Sequence, residues 1–369
     1  MEIKKINLIN FRNYEKLEIN FNKGMNIFIG NNAEGKTNIL ESIIMLAITK
    51  SHRTTNENEI IKFNKEKAKI KGKVKIDKIV KELGLEISNN KKSIFINKKS
   101  IKKVSDYISN LNIISFTPDD LEIIKSSPSI RRNVLNIQLS QLSKTYLNTL
   151  NEYNKLLKTR NEYLKILFTN NIADKKYLEI ITDKLIEKAV IIYKKRKEYI
   201  DLINNNINNI YKEITDNEGL NLKYITNIDI DIFDDINIKN KMKKIYDSNY
   251  YKELNYGITL YGPHRDDFSF NIGENDLKLY GSQGQQRISV ICYKLSEIDI
   301  FSEKCLTKPV LLFDDVFSEL DIKRRNRLLK YVNKDIQSII TTTDLKNIKK
   351  KYLENAYIFE VKKGNVARK

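Results

Sequence analysis

The chain has 369 residues, 41% of them hydrophobic and 31% charged, ordinary values for a folded protein of about two domains with a sizeable core. No apolar run approaches the roughly 18 residues that cross a bilayer, the charged N-terminus has no cleavable hydrophobic region, and two cysteines, Cys292 and Cys305, build no disulfide framework. A membrane span is excluded, and a reducing cytoplasm is the expected location. Lys and Arg total 66 against 47 Asp and Glu, a formal charge of +19, which favours polyanionic partners. Lys, Asn and Ile also crowd every row, as a codon bias would make them, so charge alone does not decide function.

Ile6 and Leu8 alternate with polar residues, and Leu17, Ile19 and Phe21 do so again after Asn13 and Tyr14, which predicts an antiparallel hairpin. Met25 to Ile29 is a short apolar strand ending at Gly30, and Ile39, Leu40, Ile43, Ile44, Leu46 and Ala47 recur with helical spacing. Short alternating segments from Ala68 to Ile96, with a turn at Asn89 and Asn90, predict a small antiparallel sheet. Between Leu142 and Ile214 apolar residues recur three or four apart, broken by the polar stretch Thr169 to Lys175. That predicts two long helices forming an antiparallel arm. Lysines such as Lys194, Lys195 and Lys197 read as its solvated face. Strand signals return at Ile258 and Leu260, Phe268 to Ile272, Leu277 and Leu279, and Val310 to Phe313. The arm is thus an insertion into an α/β domain built from both chain ends.

Gly30-Asn31-Asn32-Ala33-Glu34-Gly35-Lys36-Thr37 fits the phosphate-binding loop pattern G-x-x-x-x-G-K-[ST], with the strand before and the helix after that the loop requires. Glycines let backbone N–H groups curl around phosphate oxygens, Lys36 adds a charge between β- and γ-phosphates, and the Thr37 hydroxyl is a Mg²⁺ ligand. With Asn38, these residues form the expected ATP contact set. Val310 to Asp315 is a buried-type strand ending in two carboxylates. Asp314 is expected on the metal side, and Asp315 is expected to orient the attacking water, so that Lys36 and Asp315 carry the catalysis. Ser282-Gln283-Gly284-Gln285 opens a helical pattern through Val290, Leu295 and Ile298. Its N–H groups and hydroxyl suit a γ-phosphate, or close a cap with no ligand. His264-Arg265-Asp266-Asp267 reads either as a charged turn or as a group near nucleotide or DNA. The two histidines and two cysteines show no zinc spacing.

Loop, helical insertion, S-x-G-Q signature, double-acid strand and Ser318-Glu319-Leu320-Asp321 follow the order of ABC-type ATPases of the SMC class. Phe11-Arg12-Asn13-Tyr14, Ser51-His52-Arg53, Ser115-Phe116-Thr117-Pro118, Pro128 with Arg131-Arg132, Gly262 to Asp267, Gly281 to Arg287 and Thr341-Thr342-Thr343-Asp344 narrow this. Over nearly its whole length the chain resembles the RecF family of bacterial recombination and repair ATPases. The resemblance implies an ABC/SMC-type ATPase head divided as residues 1–120, an inserted helical lobe at 121–250, and residues 251–369. It further implies a homodimer formed around Mg²⁺ and ATP, with Lys36 and Thr37 of one copy facing Ser282, Gly284 and Gln285 of the other. Arg12 would approach the nucleotide, and Thr341 to Thr343 would stand where other ABC ATPases place a γ-phosphate-sensing histidine.

The implied function is binding of single-stranded, duplex or gapped DNA, weak DNA-linked ATP hydrolysis, RecA loading with RecO and RecR, and SOS induction. Another SMC-like repair ATPase or an ABC-transporter nucleotide subunit are the alternatives; a small-molecule phosphotransferase or a structural coiled coil would leave the signature turn or Lys36 without a use. The chain departs from the family pattern at Leu135-Asn136, where an Asp is usual after the Leu. Gln138 and Gln141 both border the lid position, and neither is assigned to it.

Overall fold

Buried Ile3, Ile6 and Leu8 lie on one face of strand Glu2–Phe11, which pairs antiparallel with Tyr14–Asn20 as expected from the alternation. The opposite edge takes Lys67–Ile76, followed by Ile79–Ser88, Lys91–Ile96 and Lys99–Ile101, so hairpin and predicted small sheet are one six-stranded antiparallel sheet. Its inner face buries Ala68, Ile70, Val74, Leu83 and Leu85. At Gly72 a Cβ would come within 2.3 Å of Leu46 Cδ2. Helix Lys36–Ile48, which carries Leu46, therefore lies directly beneath this strand. The computed structural model describes residues 1–88, 91–169, 174–332, 335–345 and 348–369, so the turn predicted at Asn89 and Asn90 lies outside the described residues, as does part of the break after Thr169.

A second sheet has the order Asn365–Arg368, Tyr357–Lys362, Met25–Ile29, Ser338–Thr342, Val310–Asp314, Ile113–Phe116, parallel except for the first strand. The four strands from Met25–Ile29 to Ile113–Phe116 are buried along almost their whole length, as covered parallel strands are. Phe28 stacks on Phe359 and Phe116 on Phe313, with ring centroids 4.7 and 4.4 Å apart. The register pairs Ile29 with Thr342 and Thr341 with Asp314, bringing the strands' carboxyl ends into one row.

The chain divides into two units: residues 1–121, 207–218 and 287–369, and residues 122–206 and 219–286. The second is helical, built on Pro128–Leu142, Lys144–Thr169, Lys175–Thr215 as far as Asn206, Asp235–Ser248 and Tyr250–Tyr256. A three-stranded sheet of Asn275–Asp276, Asp267–Ile272 and Leu220–Ile225 completes it. The second unit runs from Glu122 to Asn206 and from Gly219 to Gln286. Buried charge ties its last stretch to its helices. Arg131 holds Asp267 at 2.5 and 2.9 Å, Arg160 holds Glu253 at 2.7 Å, and Arg196 reaches Asp266 at 3.3 Å. Such ions leave water only when paired, so the acids after residue 250 go with the helices that neutralise them. Residues 207–218 belong to the first unit, where Asp216 takes Lys323 and Arg327 at 2.7 and 2.8 Å.

Ile258 and Leu260 lie outside any strand, and Leu277 with Leu279 sits in a helical turn whose N-cap Asp276 accepts from the Lys278 N–H at 2.7 Å. Alternating leucines over three residues fit either period; the cap decides. On the arm, Lys194, Lys195 and Lys197 bind Asp235, Glu198 and Asp201. Among the described residues no helix is long and apolar enough to cross a membrane.

Candidate active site

Gly30 closes strand Met25–Ile29, where a Cβ would come within 2.3 Å of the Val361 carbonyl oxygen, so only glycine fits. Ala33 and Gly35 take positive φ of 65° and 112°, and helix Lys36–Ile48 starts at Gly35 with no side-chain cap. Its first N–H groups are thereby left to a ligand, with the positive end of the helix dipole behind them. Lys36 curls back over the loop, donating to the Gly30 and Asn31 carbonyls at 2.6 and 2.7 Å. Burial lowers the pKa of its ammonium from the ordinary value, against the opposing pull of Asp315, Asp314 and Glu34.

Thr37 donates to Asp314 Oδ1 at 3.0 Å. The same oxygen accepts from the Thr341 hydroxyl at 2.7 Å, and Thr341 Oγ1 accepts from the Asp315 N–H at 3.0 Å. Thr341 is fully buried, so it braces both acids from behind. Asp315 sits at φ 52°, a left-handed conformation that Asp tolerates better than most residues. Its Oδ1 is buried and has no hydrogen-bond partner. Burial raises its pKa, while the Ser318 hydroxyl and Lys36 pull the other way.

These oxygens fit a hard divalent cation. Among the described residues there is no cluster of three or more His, Cys, Asp or Glu that would make a self-sufficient metal cage. One hydroxyl and one carboxylate 3.0 Å apart are the usual protein share for Mg²⁺, which takes its remaining oxygens from phosphates and water.

The hairpin turn reaches the loop through Asn13 and Tyr14, which lie outside the phosphate-loop pattern. Asn13 donates to the Glu34 carbonyl at 3.4 Å and accepts from Asn38 at 2.8 Å, and the Tyr14 hydroxyl donates to the Gly35 carbonyl at 3.1 Å. Arg12 points elsewhere: its guanidinium binds the Glu41 carboxylate at 2.9 and 2.6 Å and the Glu59 carbonyl at 2.8 Å. Burial opposes the ionisation of Glu41, but Arg12, Ser51 and Arg53 outweigh it and hold its pKa below the ordinary value. Only the polar turn within Phe11 to Tyr14 could have flagged Asn13, since its contacts are long-range.

Around the signature turn, the Ser282 N–H donates to Gln285 Oε1 at 2.9 Å and the Gln285 N–H to Ser282 Oγ at 3.3 Å, a reciprocal cap. Ser282, Gln283, Gly284 and Gln285 are exposed. The His264 to Asp267 segment is structural. His264 contacts the Tyr153 hydroxyl at 2.6 Å and the Thr259 carbonyl at 3.0 Å, and Asp266 and Asp267 pair with Arg196 and Arg131. Asn136 takes hydrogen bonds from Arg196 and Tyr146 at 3.0 and 2.8 Å, so a neutral amide serves the buried arginine. Gln138 and Gln141 are buried and bonded to each other at 2.9 Å.

A phosphate loop at the end of a central parallel strand, with a two-acid strand two places along, defines a P-loop ATPase head of the ABC and SMC type. The sequence profile of the RecF/RecN/SMC N terminal domain matches residues 2–366. Proteins named DNA replication and repair protein RecF from Clostridium novyi and Staphylococcus carnosus are 40% and 36% identical, over 99% and 100% of both chains. A structure of the recombination mediator protein RecF with ATP, of the RecFOR pathway, superposes with TM-score 0.92 at 33% identity, covering 100% of this chain and 97% of that one. An Smc head domain from Pyrococcus furiosus shares the fold at TM-score 0.55 and 16% identity. The chain belongs to the RecF family.

Proposed function

We propose that this protein is a DNA-binding repair ATPase in which Mg²⁺ and ATP join two copies into a clamp and hydrolysis releases it. The observation that carries the reading is the Lys36, Thr37, Asp314 and Asp315 cluster at the strand ends, in a chain whose relatives include a RecF described with ATP. Mg²⁺ supplies charge neutralisation along the phosphates when bound.

The protein's own groups do the rest. Gly30, Asn31, Asn32, Ala33, Glu34 and Gly35 wrap the phosphates with backbone N–H groups, Lys36 leaves the Gly30 and Asn31 carbonyls for phosphate oxygens, and Asn38 steadies the loop through Asn13. Thr37 and Asp314 hold the metal. Asp315 orients the attacking water and accepts the proton that the water loses. Arg12 acts on the nucleotide through Glu41 and the helix that carries it. Ser282, Gly284 and Gln285 of a second copy complete the γ-phosphate contacts, a role supported by their exposure. Single-stranded and gapped duplex DNA are the substrates to which the clamp closes. RecR, RecO and RecA act with it in gap repair and SOS induction, in the cytoplasm.

The test is self-association and DNA binding measured with ATP, with ADP, and for Lys36→Met and Ser282→Arg. Association is expected only with ATP and only for the unaltered chain, with Ser282→Arg still binding ATP as a monomer. Equal association in all arms would defeat the clamp.

Thr341 braces both acids, so Thr341→Val is expected to raise the Mg²⁺ concentration needed for ATP binding by about tenfold or more, as loss of a group supporting a ligand does. Thr341→Ser should restore it. An unchanged Mg²⁺ titration in Thr341→Val would remove Thr341 from the site.

A further inference from the structure

Strand Lys67–Ile76 places Lys67, Lys69, Lys71, Lys73 and Lys75 at alternate positions. Its inward positions Ala68, Ile70, Gly72 and Val74 are buried, so all five lysines share the outer face of the antiparallel sheet. Lys67, Lys71 and Lys73 are exposed. Lys69 pairs with Glu86 at 2.6 Å, whereas among the described residues no ion pair engages Lys67, Lys71, Lys73 or Lys75. Glu82 stands opposite Lys73 and Glu2 opposite Lys75 across the ladders, yet among the described residues neither forms an ion pair with that lysine; on the arm Lys194, Lys195 and Lys197 all have acid partners.

We infer that this outer face binds the phosphate backbone of duplex DNA, a reading that rests on the DNA-binding function proposed above and locates its surface. Alternate lysines on an antiparallel strand step about 6.8 Å, the axial rise of two phosphates on one strand of B-DNA. Lysine offers a point charge without base readout, so contact is to backbone and independent of sequence. Single-strand binders add aromatic platforms on which bases stack. Over the three strands Lys67–Ile76, Ile79–Ser88 and Lys91–Ile96 the one aromatic on this face is Phe95, half-buried over Gly84, whose Cβ position lies 3.4 Å from that of Phe95. The face therefore lacks a stacking row and fits duplex.

The test uses the full chain with Lys67, Lys71, Lys73 and Lys75 each replaced by Gln, and a control with Lys194→Gln, Lys195→Gln and Lys197→Gln. Affinity for a labelled blunt duplex is followed against salt, with ATP present, beside a single strand of equal length. The fourfold variant is expected to lose at least about tenfold in duplex affinity at low salt, with the slope of log affinity against log salt shallower by about 3 to 4. The arm control should match the unaltered chain. ATP-dependent self-association, unchanged in the fourfold variant, reports that it folds. If the unaltered chain binds duplex and the fourfold variant binds it equally, or if the arm control loses as much, this surface is wrong and the ATPase reading stands. Loss of single-strand affinity alone also overturns it. A chain that binds no DNA with ATP sinks both.

Discussion

Asp315→Asn is expected to bind ATP as the unaltered protein does and to release phosphate about a hundredfold more slowly or less. The carboxamide keeps the shape, and Asn tolerates the left-handed backbone at φ 52° as Asp does. The Asp315 N–H bond to Thr341 Oγ1 at 3.0 Å survives. What disappears is the negative charge on a buried oxygen that no protein group engages, an atom placed to hold a water in line for attack. Lys36 loses one of the carboxylates that support its charge, a small change beside the loss of turnover. Steady-state phosphate release alongside equilibrium ATP binding separates the two effects. Turnover within about twofold of the unaltered rate would take Asp315 out of the chemistry.

The second large effect is on stability. Asp266→Ala is expected to destabilise the protein by about 3 to 5 kcal/mol, because Arg196, 2% exposed, keeps a full charge with its carboxylate gone. Burial already pushes the Asp266 carboxyl up to about 6, with Arg196 and Tyr224 pulling it down. The remaining acceptors, the Pro263 carbonyl at 2.5 Å, Asn136 Oδ1 at 3.0 Å and the Tyr146 hydroxyl at 3.3 Å, are neutral. The double change Asp266→Leu with Arg196→Met removes both charges and should recover most of the loss. Denaturant midpoints measure this; a shift of less than about 1 kcal/mol for Asp266→Ala would mean that the arginine finds solvent instead.

The site was legible where chemistry is written in a contiguous run. Gly30 to Thr37 and Val310 to Asp315 each carry strand, loop and reactive group within a few residues, and the strands lie where the apolar runs put them. What local pattern could not carry is pairing across sequence. The Thr341 hydroxyl donates to Asp314, a contact that appears only once two strands stand in register. The bonds from Arg12 to Glu41 and from Asn38 to Asn13 are of the same long-range kind. Apolar spacing likewise says nothing about which arginine neutralises which acid, so the pairing of Asp266 with Arg196 and of Asp267 with Arg131 shows only in the fold. Leu277 and Leu279 failed on period, where two leucines fit strand and helix alike and Asp276 decides.

The ammonium of Lys36 is satisfied by the Gly30 and Asn31 carbonyls. Capturing a ligand is thus an exchange of partners, and only one offering anionic oxygens at the far end of its phosphate chain makes the swap favourable.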